Sequence, residues 1–477
     1  MPIKFGTDGW RAVISEEFTF ANVRHVAKAI ADYLTGTRID PTSPVVVGFD
    51  TRFLSDRFAM EVSRVLADEG LTVCLSTSDC PTPAVAYAVQ NLGALGGVMI
   101  TASHNPPRYN GIKFKGPHGG PGMPNEMRGI EELLKRNRAR GLEPATDGWA
   151  LSSPHQEHKG VERFDLMPGY LAHIRTLVNF DTIARSGLRV AIDPMYGAGR
   201  GYAAALLREA GCEIVELHSE MNPGFAGIHP EPIERNLGDL IAAVRGGHQD
   251  IGLATDGDAD RIGAVDATGS FVDPHRIFSL VLRHLVEERA QRGAVVKTVS
   301  TTQLLNRMAE RYGLPLYETP VGFNHICELM LKEDVLIGGE ESGGITIKGH
   351  VRDSDGILIG LLLVEILARH RQPLHEIVAE LMQEFGEFHY GRNDVQTQAF
   401  DKKELIRQLM EEVPERILRN RVVRVNNSDG VKYLMDDDSW LLIRPSGTEL
   451  VLRIYAEARN PQQVQQLLAE GASLAHV

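Results

Sequence analysis

Three aspartates stand at alternate positions in the run Asp256-Gly257-Asp258-Ala259-Asp260-Arg261. Alternation puts three carboxylates on one side of an extended loop, and hard oxygen ligands of this kind suit Mg²⁺ or Ca²⁺. A calcium-binding EF-hand would need glycine at the sixth position and glutamate at the twelfth, where Arg261 and Ala267 stand. A solvated acidic turn is the remaining alternative, but the apolar run 251–254 leads straight into the loop. The pattern therefore favours a divalent-metal site.

A serine with basic neighbours follows another apolar run, at 97–100. Ser103 and His104 lie in Thr101-Ala102-Ser103-His104-Asn105-Pro106, and Lys113 comes shortly afterwards. A serine at a strand end, beside a histidine and near a lysine, can carry a phosphoryl group or act as a nucleophile. The same residue types also favour a polar turn in which Ser103 only caps the backbone. This motif alone leaves both interpretations open.

Two further loops could bind a phosphorylated polyol. In Gly338-Gly339-Glu340-Glu341-Ser342-Gly343-Gly344, the glycines let the backbone approach a polyol whose hydroxyls Glu340 and Ser342 could bind. In Arg444-Pro445-Ser446-Gly447-Thr448-Glu449, an arginine, two hydroxyls and exposed amides could form a phosphate cradle, with Arg453 beyond it. Each run could equally be an ordinary glycine-rich turn or β-turn. Arg11, near the start of the chain, could face an anion or belong to a turn.

The elements that must position these loops are short apolar strands alternating with helical patterns. This alternation predicts α/β layers with largely parallel strand pairing, and each loop follows a strand, where such sheets place ligand sites. The strands are predicted at 45–47, 97–100, 188–192, 250–254, 294–299 and 335–337. The last ~90 residues differ, because two strand-like runs close together predict a hairpin within an α+β module. These two runs are 440–443 and 451–455.

The longest apolar run, 357–368, is too short to span a bilayer and predicts a core helix that begins at the capping residues Asp353, Ser354 and Asp355.

A chain of 477 residues is longer than one hydrophobic core usually supports, so three or four domains are expected. The net charge of −13 argues against nucleic-acid partners, although it leaves small anionic substrates open. The chain has only four cysteines, and their spacing is not that of metal ligands, which fits a reducing compartment. Because the sequence also shows no signal-peptide pattern, we expect a cytoplasmic protein with no membrane partner. Oligomeric state is not predicted.

In this order, the four motifs resemble those of the α-D-phosphohexomutase superfamily of phosphoglucomutases, phosphomannomutases and phosphoglucosamine mutases. The resemblance extends from Phe5-Gly6-Thr7-Asp8-Gly9 to Glu449. It implies an α/β fold of three similar α/β domains with mixed sheets, plus a smaller C-terminal α+β domain, around a central cleft. The expected domains are 1–168, 169–267, 268–386 and 387–477.

The resemblance also implies a role for each motif residue. Ser103 matches the family's phosphoserine, whose phosphate oxygen completes a Mg²⁺ site with the three aspartates, Asp256, Asp258 and Asp260. The family's charged groups around the transferred phosphoryl group correspond here to Arg11, His104, Lys113 and Arg261, and Lys113 is expected to act as a proton shuttle. The residues that bind sugar O3 and O4 in the family correspond here to Glu340 and Ser342. The clamp for the phosphate that is not being transferred corresponds to Arg444, Ser446, Gly447 and Thr448.

Two positions depart from the family pattern. Leu450 stands where the family often has proline, which is expected to alter only the turn. Asn324 stands where glucose-type members often carry lysine, and the adjacent His325 is the expected substitute for that substrate contact.

The implied reaction moves a phosphoryl group between C1 and C6 of a hexose through phosphorylated Ser103, with hexose 1,6-bisphosphate as intermediate and activator. Glu340-Glu341-Ser342 resembles the glucose-preferring members more than the Glu-Met-Ser-Gly-His or Glu-Gln-Ser-Gly-His motifs of other members. Glucose is therefore favoured, with mannose as a secondary or equal substrate, ahead of glucosamine. A Mg²⁺-dependent sugar phosphatase and a catalytically silent sugar-phosphate-binding protein remain alternatives, although a phosphorylatable serine is not needed for binding alone.

Overall fold

The structure is a computed structural model that describes residues 3–6, 9–37, 40, 42–142, 144, 156–398, 400–446 and 451–475. Within these residues the chain forms four successive units, and each unit is built on one β-sheet. Three units are α/β layers with mixed sheets, and the fourth is a smaller α+β unit. The predicted fold class is therefore confirmed.

The first unit holds a six-stranded sheet in the order β1-β5-β4-β2-β3-β6. Its elements are β1 (Trp10–Val13), α1 (Phe20–Thr37), β2 (Val45–Phe49), α2 (Ser55–Asp68), β3 (Val73–Ser76), α3 (Thr82–Asn91), β4 (Gly96–Ile100), β5 (Tyr109–Lys115), α4 (Pro124–Ala139) and β6 (Val161–Phe164).

The second unit has a five-stranded sheet in the order β11-β10-β9-β7-β8. Its elements are α5 (Met167–Leu177), α6 (Phe180–Ala184), β7 (Arg189–Asp193), α7 (Tyr202–Glu209), β8 (Glu213–Glu216), α8 (Gly238–Gly247), β9 (Ile251–Thr255), β10 (Ile262–Asp266) and β11 (Phe271–Val272).

The third unit has a four-stranded sheet in the order β13-β12-β14-β15. Its elements are α9 (Pro274–Arg283), β12 (Ala294–Thr298), α10 (Leu304–Tyr312), β13 (Leu316–Thr319), α11 (Phe323–Met330), β14 (Val335–Gly339), β15 (Ile345–Ile347), α12 (Gly356–His370) and α13 (Leu374–Phe385).

The fourth unit is an antiparallel sheet in the order β16-β21-β20-β19-β18-β17, flanked by two helices. Its elements are β16 (His389–Gln396), α14 (Lys402–Glu411), β17 (Arg416–Ile417), β18 (Asn420–Asn426), β19 (Val431–Met435), β20 (Trp440–Pro445), β21 (Val451–Ala458) and α15 (Pro461–Leu474). The predicted hairpin is confirmed, because β20 and β21 pair antiparallel.

The three α/β sheets share one pairing scheme, which places the functional loops. Their central strands pair in parallel, as the sequence predicts: β2 with β3 and β4, β7 with β8 and β9, and β12 with β13 and β14. The next strand then returns antiparallel, in the pairs β4–β5, β9–β10 and β14–β15. The serine loop, the aspartate loop and the glycine-rich loop are the three connections that make this reversal.

Helix α12 lies in the core, as its apolar sequence predicts, and every residue from Gly356 to Ala368 is buried. Asp355 caps the helix through a hydrogen bond from the Leu358 amide, whereas Asp353 instead forms a buried ion pair with Lys115 of the first unit. No helix in the described part of the chain is both long and apolar enough to cross a membrane.

Substituting the first residue of α12 should disturb the aspartate loop. A Cβ at Gly356 would lie 2.2 Å from the Arg261 carbonyl oxygen, which is backbone and cannot move aside cheaply. We expect Gly356→Ala to lower the free energy of unfolding by about 1–3 kcal/mol and to reduce activity, because overpacking forces a backbone shift.

The matched control is Gly36→Ala in α1, where a new Cβ meets nothing within 4 Å. That change should be neutral or stabilising by up to ~1 kcal/mol, because alanine favours helix. Urea unfolding of both variants measures the difference, and equal stability would contradict this close packing of α12 on the loop.

Candidate active site

Ser103 lies between the first two units in a conformation that few non-glycine residues adopt. Its φ angle is +50°, and the residue is 1% exposed. Its hydroxyl donates to Asp256 Oδ2 at 2.8 Å and lies 3.3 Å from Nδ1 of His104. The Ser103 amide donates to the Thr101 hydroxyl at 2.8 Å. The serine loop and the aspartate loop, 153 residues apart in sequence, therefore meet at this hydroxyl.

The three aspartates of the second loop form one buried cluster. One carboxylate oxygen from each lies within 4.8 Å of the others, and all three residues are buried. Asp256 Oδ1 accepts the amides of Asp260 and Arg261, at 3.0 and 3.1 Å, which closes the turn. Asp258 Oδ1 is buried and has no hydrogen-bond partner among the described residues. Three hard oxygen donors with a lone buried carboxylate oxygen fit a divalent cation such as Mg²⁺.

Lys113 of β5 reaches the same cluster from the first unit. Its buried Nζ lies 2.9 Å from Asp258 Oδ2 and 2.7 Å from Asp260 Oδ2. Burial would raise the pKa of Asp258, but Lys113 and the Thr82 hydroxyl hold that pKa well below its usual range. Burial and the charges of Asp260 and Asp258 raise the pKa of Asp256 well above its usual value. Within one cluster, the pKa of Asp256 is therefore raised and that of Asp258 is lowered, and the Lys113 ammonium contacts Asp258 and Asp260.

The remaining charged residues predicted for the transfer site lie around His104. Burial, followed by the charges of Arg261, Arg11 and Lys113, lowers the pKa of His104 well below its usual value, so the ring is neutral at neutral pH. Arg11 Nη1 donates to Asn105 Oδ1 at 2.9 Å. Burial opposes the charge on Arg261, but Asp256 and Asp260 outweigh it and raise the pKa of that guanidinium. The structure therefore brings the predicted cations close enough to His104, the neighbour of Ser103, for their charges to act on it.

The glycine-rich loop presents polar groups from the third unit. Glu340 Oε1 accepts the Gly322 amide at 2.9 Å, which ties the loop to the turn before α11. Ser342 Oγ is buried and has no hydrogen-bond partner among the described residues. Glu341 instead accepts the hydroxyls of Ser300 and Thr298, at 2.6 and 3.2 Å, inside the unit. Glu340 and Ser342 are thus the polar side chains of this loop best suited to a ligand.

The two residues at the start of α11 differ in exposure. Asn324 is 6% exposed and its Oδ1 has no partner among the described residues, whereas His325 is only partly buried. Burial lowers the pKa of His325, which favours its neutral form. His325 is therefore the more accessible of the two side chains.

Arg444 of β20 carries the phosphate-clamp motif in the fourth unit. Its Nε donates to Asp429 Oδ2 at 2.8 Å, and Arg453 lies opposite it in the register of β20 and β21. Ser446 is buried, and its amide donates to the Val451 carbonyl at 2.9 Å. The other two predicted clamp residues, Gly447 and Thr448, lie outside the described residues.

Three residues around the site were missed by the sequence analysis as functional positions. Arg52 donates to the backbone of the serine loop, and Thr82 Oγ1 donates to Asp258 Oδ2 at 2.6 Å. Asp429 joins the third and fourth units, because its Oδ2 accepts both Arg444 and the Val321 amide, the latter at 3.0 Å. The sequence places Arg52 in the loop after a strand, but no spacing links any of the three to its partner.

Four family descriptions match successive parts of the chain. They are phosphoglucomutase/phosphomannomutase alpha/beta/alpha domain I at residues 2–141, domain II at 168–269, domain III at 273–385, and the C-terminal domain at 405–474. These matches follow the same order as the four sheets.

Similar proteins match over nearly the full chain. A phosphoglucomutase/phosphomannomutase of Thermococcus kodakarensis is 31% identical over 475 residues, covering 98% of each chain. A phosphoglucosamine/phosphogalactosamine mutase of Sulfurisphaera tokodaii is 32% identical over 470 residues, covering 98% of this chain and 97% of the other. A solved structure from Thermus thermophilus, assigned as a phosphomannomutase, shares 36% identity with a TM-score of 0.85 and covers 100% of each chain. With these similarities over its whole length, the chain belongs to the phosphoglucomutase/phosphomannomutase family and is a phosphohexomutase enzyme.

Proposed function

We propose that this enzyme interconverts glucose 1-phosphate and glucose 6-phosphate through phosphorylated Ser103, with mannose phosphates as further substrates. The observation that supports this most directly is the 2.8 Å contact between Ser103 Oγ and Asp256 Oδ2 inside the buried aspartate cluster. A serine hydroxyl held against one carboxylate of this three-aspartate cluster is not needed for binding alone. It suits a phosphoryl group that would share a metal ion with those carboxylates.

The proposed reaction has two balanced transfers. The C6 hydroxyl of the hexose 1-phosphate attacks the phosphorus on Ser103, so an O6–P bond forms while the Oγ–P bond breaks. The resulting hexose 1,6-bisphosphate turns in the cleft, and Ser103 Oγ attacks the phosphorus on C1. An Oγ–P bond forms while the O1–P bond breaks, so hexose 6-phosphate leaves and phosphorylated Ser103 is regenerated. In each transfer the attacking oxygen loses a proton and the leaving oxygen gains one, and we assign this exchange to Lys113.

Phosphoryl transfer depends mainly on alignment and charge neutralisation, which this chain's own residues can supply. Mg²⁺ held by Asp256, Asp258, Asp260 and a Ser103 phosphate oxygen would withdraw charge from the phosphoryl group. Arg11 and Arg261 would stabilise its oxygens. Neutral His104, whose Nδ1 lies 3.3 Å from Ser103 Oγ, would orient the serine without adding another positive charge.

The sugar preference rests on the third unit. We propose that Glu340 and Ser342 bind the O3 and O4 hydroxyls, with His325 as a further substrate contact. Glucose and mannose share those hydroxyls and differ at C2, which supports activity on both. The preference for glucose rests on the Glu340-Glu341-Ser342 motif. The similar proteins are named for glucose, mannose and glucosamine or galactosamine phosphates, and they leave this choice open.

One assay tests the reaction and the sugar together. Purified enzyme is given the 1-phosphates of glucose, mannose and glucosamine, and both the 6-phosphate formed and the free phosphate released are measured. The proposal expects 6-phosphate from glucose and mannose, with little free phosphate. Dominant phosphate release would identify a phosphatase, and no turnover of any sugar would identify a binding protein.

Ser103→Ala should abolish turnover while leaving the protein folded. Loss of the covalent route should lower kcat on the order of a thousandfold or more. Intact-mass spectrometry should detect one added phosphate on the wild type and none on the variant. Ser78→Ala, at an exposed position of the same unit, is the matched control and should behave as wild type. Near-normal turnover by Ser103→Ala would refute the phosphoserine mechanism.

Asp258→Ala should reduce kcat far more than it changes KM, because the proposed metal acts on the transferring phosphoryl group. Wild-type activity should also disappear in excess chelator and return with added Mg²⁺. The control is Asp239→Ala, whose carboxylate is largely exposed on α8 of the same unit. Full wild-type activity in chelator would exclude a metal requirement.

Arg444→Ala should impair the forward and reverse reactions together, because the non-transferring phosphate is proposed to occupy the same clamp in both halves of the cycle. A lost charge-assisted contact costs on the order of 1.5–3 kcal/mol, or very roughly ten- to hundredfold in binding. Release of free bisphosphate should rise as well. Kinetics in both directions test this, with Arg424→Ala at an exposed position of β18 as the control. An effect confined to one direction would remove Arg444 from the clamp.

A further inference from the structure

Arg52, in the loop after β2, binds three backbone carbonyl oxygens of the serine loop and that of Tyr109, the first residue of β5, with one guanidinium. Its Nη2 donates to the carbonyls of Ser103 and Asn105, both at 2.6 Å. Its Nη1 donates to the carbonyls of Pro106 and Tyr109, at 2.9 and 3.1 Å. Arg52 is 3% exposed, so the donor side of these bonds is shielded from solvent. The two terminal nitrogens thereby both bind the backbone of residues 103–109.

The guanidinium is itself held from the opposite side. Its Nε lies 3.2 Å from Asp50 Oδ2, and the exposed fraction of both side chains is 0%. Asp50 Oδ1 is fixed in turn by the Arg52 amide at 3.0 Å and the Ser55 hydroxyl at 2.7 Å. The Phe225 ring of the second unit lies 4.9 Å from the guanidinium carbon. Arg52 is thus held by an ion pair with Asp50 and by packing against Phe225, in addition to its contacts with the loop carbonyls.

The serine loop needs such an anchor because its geometry is unfavourable by itself. Ser103 has a φ of +50°, a region that L-residues adopt only when their surroundings impose it. Its carbonyl oxygen also lies so close to the aspartate loop that a Cβ at Gly257 would be 2.5 Å away. A small rotation of this peptide would therefore move the serine relative to the aspartates.

We infer that Arg52 is the positioning residue that fixes the Ser103 oxygen relative to the aspartate cluster. This inference rests on the proposed role of Ser103 in phosphoryl transfer. Arg52 acts through the loop carbonyls, and its contacts with the loop are to backbone oxygens rather than to Ser103 Oγ. Only a planar guanidinium presents donors on two terminal nitrogens in a fixed fork, whereas lysine concentrates three on one nitrogen. Lysine at this position would keep the charge and lose the loop geometry.

The first test compares Arg52→Lys with Arg64→Lys. Arg64 is a matched control because it is 1% exposed in the same unit and pairs with the carboxylates of Glu61 and Asp68 on its own helix. Displacement of a reacting atom by a fraction of an ångström to one ångström can cost on the order of 10- to 100-fold in rate. Per folded enzyme, we expect kcat of Arg52→Lys to fall by that factor while KM for glucose 1-phosphate stays within about threefold.

The second test is chemical rescue. Low millimolar guanidinium chloride should restore part of the kcat of Arg52→Ala, because it can re-enter the space left beside Asp50. It should leave the kcat of Arg64→Ala unchanged, and it should not restore the kcat of Arg52→Lys. Phosphorylation of Ser103 by glucose 1,6-bisphosphate, followed by intact mass, should be slowed in Arg52→Lys and faster again in rescued Arg52→Ala. A purely structural role would change the amount of folded protein without changing the rate per folded molecule.

Several outcomes would overturn the inference: a kcat of Arg52→Lys within about twofold of wild type, a loss confined to KM, or an equal loss in Arg64→Lys. If the Arg52 variants do not fold, Asp50→Asn is measured in their place, because it weakens the ion pair between Arg52 Nε and Asp50 Oδ2 and keeps the arginine. It should lower kcat with KM unchanged, and an unchanged kcat overturns the inference.

Ser103→Ala, measured alongside, keeps the two ideas separate. If that variant turns over normally, the proposed function fails whatever Arg52 does. If it is inactive while Arg52→Lys is normal, only the role of Arg52 fails.

Discussion

Three buried carboxylates within 4.8 Å of one another are the constraint that the rest of this structure must satisfy. Like charges at this distance oppose each other, and burial adds a desolvation cost. Lys113 lowers this cost by contacting Asp258 and Asp260, yet it belongs to the first unit and the aspartates to the second. Thr82 and Ser103, also from the first unit, donate to the same cluster. Docking of the two units therefore contributes to the stability of the charge cluster, which links the transfer site to the domain interface.

The repeated sheet scheme explains how distant loops reach one cleft. In each α/β unit, a loop follows a central parallel strand and leads into an antiparallel one, so its side chains stand at the same edge of each sheet. Close backbone approach then needs glycine at the contacts between units. A Cβ at Gly343 would lie 2.5 Å from the Ile262 carbonyl, and one at Gly257 would lie 2.5 Å from that of Ser103. The glycines thus set how closely the three loops can converge.

Much of this arrangement could be predicted from the sequence, because it is encoded locally. Apolar runs predicted the strands that precede the loops, and the order of motifs identified the family. The antiparallel returns were not predicted strand by strand, since periodicity carries no information on strand direction. Arg52, Thr82 and Asp429 could not be recognised either, because each acts on a partner from 15 to 176 residues away through contacts that no local pattern encodes. Asp353 was predicted as a capping residue, but its tertiary partner Lys115 decides its role.

The contacts of the glycine-rich loop explain why the identity of the sugar is harder to predict than the type of reaction. Phosphate groups are recognised by charge, and the proposed Glu340 and Ser342 contacts are to hydroxyls that glucose and mannose share. Glu341, one of the two positions at which this chain differs from the other quoted motifs, accepts the hydroxyls of Ser300 and Thr298 within its own unit. It would therefore affect substrate choice by shaping the loop rather than by binding the sugar. A site that does not hydrogen-bond the distinguishing hydroxyl discriminates weakly against its absence or inversion. Selection between C2 epimers would then depend on residues such as the proposed substrate contact His325. His325 lies near the start of α11, close to Val321, whose amide donates to Asp429 of the fourth unit.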